Sequence, residues 1–478
     1  MALSPAAAAA HISPFAGSWY PDRPAELAAL LDQRFECSLE RTGPCLLPRP
    51  LAFVVPHAGL AYSGTVAAAA YRYLQAAPPE RIFLLGFSHR GGPPGIAIPD
   101  IPAFETPIGA VALDRAAALE LAAARPFAVV PESEVCDHSV EIQLPLLCKA
   151  VPGVPVVPLH VGFLQDAERS AAAEILAHAL RPGDLLLASS DLTHYGRAFG
   201  YQPFPAGHDL HRRLYRLDSQ VIEAAGSFDC GLFHETLRET GATVCGRAPI
   251  ALLLQVLTLL AGEDVFQQTL DYQTSAEITG DREHSVSYAC LGYFRPESFL
   301  LDAESQQVLL DSARATLENL RATGQRQPIP PPPAFPALRR HAALFASLHQ
   351  DGRLFGCVGT RSAPLPLSYA AAELTLSAAL DDPRFPNGRT IPEGLAIELS
   401  ILTPMRRIRD WQRFRIGRDG AILNYDNRTE LLLPQVAARG PWTSVRFLEA
   451  LSQKAGLPPS AYRDRQARLS VFRAQVVG

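Results

Sequence analysis

Short, continuous apolar runs that alternate with alanine-rich segments are the feature that most limits the folds open to this chain. The runs LAFVVPH, RIFLLGFSH, VPVVPLHVG and DLLLASSD each end in Gly, Ser, Asp or His, a pattern typical of buried β-strands. Between them, GTVAAAAYRYLQAA and DAERSAAAEILAHALR repeat apolar residues at three- and four-residue spacing, which is typical of helices. The alternation predicts an α/β fold with helices on both faces of a sheet.

Polar residues follow the apolar runs at the points where the predicted strands end. His57, His89, His160 and Asp191 each lie at or just after the carboxyl end of one run. Open α/β sheets build their binding sites at this edge. We therefore expect these side chains to border a common pocket.

The chain is longer than a single hydrophobic core usually supports, since it has 478 residues. After YACLGYFRPESF, the segment LLDAESQQVLLDSARATLENLRATG predicts a helix with Asp302 as its N-cap and Gly324 as its end. By composition alone, the following QPIPPPPAFP is typical of an interdomain linker. Beyond it, AALFASLH, SYAAAELTLSAALDD and GLAIELSIL predict a smaller α+β unit.

Charge and lysine content exclude several classes of partner. The 43 basic and 48 acidic residues are mixed along the chain and give a net charge of -5, so nucleic acid is not an expected partner. The two lysines, Lys149 and Lys454, do not lie in a phosphate-binding glycine loop.

The cysteines and apolar segments predict a cytoplasmic protein without a membrane-spanning helix. The eight cysteines form no CxxC pair, and we expect them to be thiols. The most apolar window, PIALLLQVLTLLAG, is interrupted by Gln255 and is shorter than the roughly 18 to 20 residues of a membrane span. The opening MALSPAAAAA lacks the charged and apolar regions of a secretion signal.

Histidines, carboxylates and one cysteine in the first three hundred residues suit metal binding or acid–base chemistry. They are His57 in VVPHAG, His89 in LGFSHRGG, Asp137, His138 and Glu141 in CDHSVEIQ, Asp191 and His194 in SSDLTHYG, and Cys245 in TVCGRAP. Imidazole with thiolate or carboxylate suits iron, zinc or copper rather than magnesium or calcium. Each residue also has a structural interpretation, as a hydrogen-bonded histidine, a helix cap or a small buried thiol. Their convergence on one sheet edge is what favours a shared site.

A serine nucleophile is the competing chemistry. Ser63 in YSG and Ser88 in FSH lie near several histidines in the sequence. The G-x-S-x-G elbow of serine hydrolases is absent from the sequence, so hydrolysis is the weaker hypothesis.

The motifs FAGSWYP, VVPHAGLAYSG, LGFSH, TPIG, DHSVEIQLPLL, SSDLTHYG and TVCGRAP resemble the Memo family, over residues 11 to 294. That family is similar in fold to LigB-type class III extradiol dioxygenases, which use non-heme iron. The resemblance implies His57, His89 and Cys245 as metal ligands. Phe87 and Asp137 depart from the family, which usually has Pro and Glu at these positions.

The same resemblance implies roles for the residues around the metal. His194 falls where the related dioxygenases place an acid–base histidine, and Asp191 would orient it. His138 is the third predicted catalytic residue. Trp19, Asp137 and Tyr195 are predicted to bind substrate.

From about residue 302, LFGCVGT, LAIELSILTP and IGRDGAIL resemble the AMMECR1 family. In that family the helix before the proline run belongs to the same domain, so the resemblance replaces the compositional interpretation. It predicts a Memo-like domain over residues 1–298 and an AMMECR1-like domain over residues 299–478. The pairing resembles the AmmeMemoRadiSam set, which implies a separate radical SAM partner because this chain has no C-x-x-x-C-x-x-C motif.

These observations lead to two hypotheses. In the first, the Memo-like domain binds iron (Fe²⁺), with copper or zinc as alternatives, and performs or supports oxidative chemistry on a small molecule or peptide. Cys245 departs from the related dioxygenases, which use a carboxylate as the third ligand. In the second hypothesis, the protein is a non-enzymatic scaffold with a vestigial metal site.

Overall fold

The computed structural model describes residues 9–384 and 390–478, so most of the MALSPAAAAA stretch lies outside the described residues. The chain forms two compact units that divide between Arg295 and Pro296. The boundary predicted after residue 298 falls in a short 3-10 helix, Pro296–Phe299, of the second unit.

The first unit is built on a mixed sheet. The unit's strands are β1 (His11–Ile12), β2 (Ala52–Val55), β3 (Ile82–Gly86), β4 (Ile96–Pro99), β5 (Ala103–Thr106), β6 (Gly109–Ala112), β7 (Phe127–Val130), β8 (Val156–Val161), β9 (Leu185–Ser189), β10 (His194–Tyr195), β11 (Phe266–Thr274) and β12 (Ser285–Phe294). Strands β1, β5 and β6 form a separate small sheet, and the others form the main sheet. The main sheet has the order β10-β12-β2-β9-β3-β8-β4-β7, with β11 paired to β12. The strands β2, β9, β3 and β8 are parallel to their neighbours in this central series.

Helices surround this sheet. They are α1 (Pro24–Thr42), α2 (Gly64–Ala76), α3 (Arg115–Ala122), α4 (Glu132–Val135), α5 (His138–Glu141), α6 (Gln143–Ala150), α7 (Asp166–Ala179), α8 (Leu210–Ala225), α9 (Cys230–Thr240), α10 (Arg247–Ala261) and α11 (Ser275–Thr279). Helix α2 packs on β2 and β12, and α10 packs on β3 and β9. The four central strands are buried at every residue, as strands covered on both faces must be. The predicted α/β architecture is therefore confirmed.

The four strands predicted from apolar runs are β2, β3, β8 and β9. Their side chains alternate between the two faces because successive strand residues point in opposite directions. Val54, Leu85, Leu159 and Ala188 belong to one core cluster together with apolar residues of α7 and α10. The parallel pairing brings the carboxyl ends of these strands to the same edge of the sheet.

The second unit contains a long helix and two antiparallel sheets. Its elements are α12 (Ala303–Thr323), β13 (Leu344–Gln350), β14 (Arg353–Gly359), α13 (Leu367–Leu380), β15 (Ala396–Leu402), β16 (Arg406–Ile408), β17 (Gly420–Tyr425), β18 (Arg428–Leu432), α14 (Ser444–Lys454), β19 (Arg468–Phe472) and β20 (Ala474–Val477). The sheet orders are β14-β13-β15-β20 and β16-β19-β17-β18. The Asp302 carboxylate accepts the Ser305 N–H at the start of α12, and Gly324 ends the helix with a φ of 71°. Both predicted helix ends are confirmed.

The proline run lies inside the second unit, after α12. The Ile329 N–H donates to Thr316 Oγ1 at 3.0 Å, and Ser312 Oγ donates to the Ile329 carbonyl at 2.6 Å. These bonds tie the run to α12.

No helix in residues 9–384 and 390–478 has both the length and the apolar character that crossing a bilayer requires. The segment PIALLLQVLTLLAG forms most of α10, whose residues from Pro249 to Leu257 are mainly buried in the core. All eight cysteines are unpaired, as predicted.

Candidate metal centre

His57, His89 and Cys245 converge at the carboxyl edge of the main sheet, and we call them the His–Cys cluster. One potential ligand atom from each lies within 4.8 Å of those of the other two. His57 Nε2 and Cys245 Sγ are 3.2 Å apart. The loops after β2 and β3 and the turn before α10 therefore deliver three donors to one point.

His57 is held in place by a buried chain of hydrogen bonds. The Asp191 carboxylate accepts the His57 backbone N–H at 2.8 Å, and His57 Nδ1 lies 3.0 Å from Ser189 Oγ. The Gln143 amide donates to Ser189 Oγ at 2.9 Å and accepts from the Tyr71 hydroxyl at 2.8 Å. This chain fixes the ring so that Nε2 faces Cys245. Sequence reasoning missed Ser189, Gln143 and Tyr71, although Gln143 stands in the quoted motif DHSVEIQLPLL.

Asp137 lies behind His89. Its carboxylate accepts the His89 backbone N–H at 2.9 Å and lies 2.8 Å from His89 Nδ1. Burial opposes ionisation, but the hydrogen bond from His89 and the charge of His138 lower the pKa of Asp137 well below its usual range. An ionised carboxylate on Nδ1 leaves Nε2 as the free ring nitrogen of His89.

Aromatic rings close the other side of His89. The His138 ring is stacked on it with centroids 3.9 Å apart, and Phe87 packs at 4.2 Å. Trp19 lies 4.3 Å from the His138 ring. The structure thus brings the predicted residues Trp19 and His138 to the cluster.

The position of Cys245 is fixed by the close approach of two backbone segments, at residues 190–191 and 245–246. The Asp191 N–H donates to Cys245 Sγ at 3.2 Å, and the Gly246 N–H donates to Ser190 Oγ at 2.9 Å. A Cβ at position 246 would lie only 2.4 Å from the Cβ of Ser190. Glycine is therefore required beside the cysteine.

His57 and Cys245 are both neutral as they face each other. Burial and the neighbouring His89 lower the pKa of His57 to about 3. Burial, together with the nearby Asp191, raises the pKa of the Cys245 thiol well above its usual range. The pair is accordingly a thiol and an imidazole, without the thiolate that a cysteine nucleophile needs.

His194 lies beside the same cluster. Potential ligand atoms of Asp191, His194 and Cys245 lie within 4.8 Å of one another. His194 Nδ1 is 3.1 Å from the carbonyl oxygens of both Leu192 and Thr243, so Nδ1 carries the proton and Nε2 is free to accept one. Burial raises the pKa of Asp191.

Two other predicted residues occupy different surroundings. Tyr195 is fully buried, its ring is stacked on Phe204, and its hydroxyl donates to the Phe204 carbonyl at 2.8 Å. Ser63 is also buried, and its hydroxyl donates to the Ala58 carbonyl at 2.7 Å. The structure does not bring the Tyr195 side chain to the His–Cys cluster.

A cleft of about 1320 Å³ opens beside the cluster, and His89, His160 and Cys245 are among the residues that line it. His160 belongs to β8 and is almost fully buried. Burial lowers the pKa of His160 to about 4, and the Asp137 charge and the Phe87 backbone offset only part of this effect. His160 therefore contributes a neutral imidazole to the lining of the cleft.

A second polar cluster was not predicted. His11 Nε2 lies 3.3 Å from the buried Glu141 carboxylate, and His11 Nδ1 lies 3.4 Å from Glu132. The hydrogen bond that His11 donates to the Glu141 carboxylate raises the pKa of His11 against the effect of burial. Glu141, which the sequence places among the candidate site residues, is thus one partner of an ion pair with His11.

The fold and the His–Cys cluster define an α/β protein with a candidate metal centre at the carboxyl edge of its main sheet. The model of the family described as "Memo-like protein" matches residues 12–292, and the AMMECR1 family model matches residues 310–477. The chain belongs to the Memo-like family and carries an AMMECR1 domain after the Memo domain. Both predicted family resemblances are confirmed.

Individual relatives and one solved structure match parts of the chain. "Protein memo-1 homolog" of Caenorhabditis elegans is 30% identical over 283 residues, which cover 57% of this chain and 79% of the relative. "Protein MEMO1" of Xenopus laevis is 29% identical over 57% of this chain and 94% of its own length. The solved structure of an uncharacterized protein from Pyrococcus horikoshii is 31% identical, with coverage of 37% of this chain and 92% of that chain and a TM-score of 0.35.

Proposed function

We propose that the first unit binds one transition-metal ion through His57 Nε2, the free ring nitrogen of His89 and Cys245 Sγ. The observation that carries the proposal is the 3.2 Å separation of His57 Nε2 and Cys245 Sγ, with a His89 donor in the same cluster. Nitrogen and sulfur ligands with bonds of about 2.1 and 2.3 Å lie about 3.1 to 3.6 Å apart at bond angles of roughly 90 to 109°. The donor set and its spacing therefore fit one ion.

The surrounding residues hold the two imidazoles in the tautomer that a metal needs. Binding at His57 Nε2 requires the proton on Nδ1, which then donates to Ser189 Oγ. His89 Nδ1 likewise donates to the Asp137 carboxylate. Hydrogen bonds of this kind orient ligand rings and increase their basicity.

We infer that iron is the metal, because the Memo family is similar in fold to dioxygenases that use non-heme iron. Copper and zinc are the alternatives, since two imidazoles and a thiolate also suit them. When bound, iron supplies redox and Lewis-acid chemistry to a small or peptide substrate in the cleft. His194 presents a free Nε2 for moving a proton to or from that substrate, and the carbonyls of Leu192 and Thr243 orient its ring. The pairing of Memo and AMMECR1 domains supports a radical SAM protein as a separate partner.

The test is elemental analysis of protein purified anaerobically without added metal. The wild-type chain and a His178→Ala control, which removes an exposed histidine of α7, should contain one iron or copper per chain. His57→Ala should contain little metal. Oxygen uptake with candidate catechols or peptides then tests for oxidative chemistry. Wild-type protein without metal, or equal metal in His57→Ala, would contradict the proposed centre.

The alternative function is a scaffold in which the cleft binds a peptide or partner protein. It is supported by the neutral pair of His57 and Cys245, whose 3.2 Å contact is compatible with an S–H···N hydrogen bond that needs no ion. Metal-free wild-type protein that still binds the radical SAM partner would favour this alternative.

A further inference from the structure

Three arginines that the proposed metal centre does not use line one wall of the cleft. They are Arg169, Arg238 and Arg247, and we call them the arginine cluster. Arg169 lies in the first turn of α7, Arg238 in the last turn of α9, and Arg247 is the first residue of α10. The fold itself therefore gathers charges that are scattered in the sequence.

The positive charge of this wall is only partly neutralised. Asp166 is the one carboxylate among the described residues that line the cleft, and its Oδ1 lies 2.7 Å from Arg169 Nη2. Within residues 9–384 and 390–478, the guanidinium groups of Arg238 and Arg247 have no hydrogen-bond or ion-pair partner. Two positive charges thus remain available to a ligand in the cleft.

His234 of α9 also lines the cleft, and the charges of the arginine cluster change its pKa. Burial lowers the pKa of His234, and the charges of Arg169, Arg247 and Arg238 lower it further, while Asp166 opposes them. The fields of all three arginines therefore overlap at one place.

Arg247 also occupies an electrostatically unfavourable position. Helix α10 is 15 residues long, begins at Arg247 and has no acidic residue in its first turn. The amino end of a helix carries partial positive charge, so a cation placed there is destabilising and an anion is stabilising. No acidic residue in the first turn offsets this repulsion, and an anion bound beside Arg247 would offset it.

We propose that the arginine cluster is an anion-binding subsite, and that the cleft takes a small organic anion whose carboxylate or phosphate group lies on these arginines. The planar guanidinium group pairs with either group through two parallel hydrogen bonds. Arg247 is two residues beyond Cys245, and both line the cleft together with His89. That the other end of the ligand reaches a metal ion rests on the proposed function, but the anion subsite itself does not.

The experiment is a titration of the full-length chain with malonate, inorganic phosphate and uncharged malonamide, both after metal removal by EDTA and after reloading with Fe²⁺ under anaerobic conditions. Binding is followed by calorimetry and by the NMR signal of His234, whose pKa should rise when an anion offsets the arginine charges. Tighter binding of malonate would indicate a carboxylate ligand, and tighter binding of phosphate would indicate a phosphate ligand.

Arg247→Gln and Arg238→Gln should each raise the Kd of the anion about tenfold or more. Arg216→Gln, which removes an exposed arginine of α8 that does not line the cleft, should leave the Kd unchanged. Anion binding that persists in a chain unable to hold iron would support the subsite while contradicting the metal proposal. Equal binding of malonamide, an unchanged Kd in Arg247→Gln, or binding that requires iron and ignores the arginines would overturn the subsite.

Discussion

Replacing Cys245 by aspartate should remove most of the pH dependence of metal binding while keeping a negatively charged ligand. Burial holds the Cys245 thiol in its protonated form, so a metal ion must displace that proton to reach the sulfur. An aspartate carboxylate is ordinarily ionised at neutral pH and has no proton to release. The comparison isolates the thiol proton.

The expected magnitude follows from counting protons. Release of one proton per metal makes the association constant rise about tenfold for each pH unit, or about 30-fold between pH 7.5 and 9.0. His57 adds nothing in this window, because its pKa is about 3. The window also lies above the range in which imidazole groups ordinarily titrate. The slope should therefore be close to one for the wild type and close to zero for Cys245→Asp.

The assay is a Zn²⁺ competition titration against a chromophoric chelator, with correction for protonation of the chelator. Zinc suits the purpose because it fits the same ligands without redox chemistry. A pH-stat gives an independent count of protons released. Cys230→Ser is the matched control, because Cys230 is another thiol whose pKa burial raises, to about 11, and it lies outside the cluster.

Two results would refute the reasoning. A wild-type slope near zero would mean that the sulfur does not bind the metal as a thiolate or is already ionised before binding. A slope near one in Cys245→Asp would mean that the displaced proton comes from another group.

Three further predictions concern the same unit. His160 has a folded pKa of about 4, below the ordinary 6.5, so the unfolded chain binds a proton more readily and the wild type loses stability as the pH falls from 6.5 to 4. In urea unfolding, His160→Gln should therefore lose about 3 kcal/mol less free energy of unfolding than the wild type between pH 7 and pH 4. Equal losses in the two proteins would contradict this. Gly246→Ala should lower stability by about 1–3 kcal/mol in the same assay, since its Cβ would overlap Ser190, and should reduce bound metal. Ser189→Ala should weaken Zn²⁺ binding about 10- to 100-fold, with an unchanged circular dichroism spectrum, because His57 loses its orienting partner; unchanged affinity would show that the hydroxyl plays no such part.

The sheet and the position of the site could be predicted from the sequence because both depend on local patterns. Continuous apolar runs define β2, β3, β8 and β9, and the chain direction then fixes which edge carries His57, His89 and Asp191. The cysteine was different. Nothing local to Cys245 indicates its position beside His57, so its place in the cluster came from the family resemblance.

The supporting residues were harder to predict because their contacts are distant in sequence. In the sequence, Ser189, Gln143 and Tyr71 look like ordinary buried residues. Only the folded structure shows the hydrogen bonds that connect them to His57. Tyr195 was predicted at the site because it follows His194 in the sequence. Successive residues of a strand point to opposite faces, so its side chain lies away from the His–Cys cluster. Proximity in sequence to a site residue was a poor guide to that side chain's surroundings.

The order of strands in the main sheet affects when the site can form during synthesis of the chain on the ribosome. The segments that carry His57 and His89 leave the ribosome long before Cys245, and β12, which pairs with β2, emerges later still. A nascent chain therefore has two of the three donors but no complete sheet edge to hold them. Loading of the proposed metal ion should accordingly await synthesis of the whole first unit, and a chain truncated before β12 should fail to retain that ion.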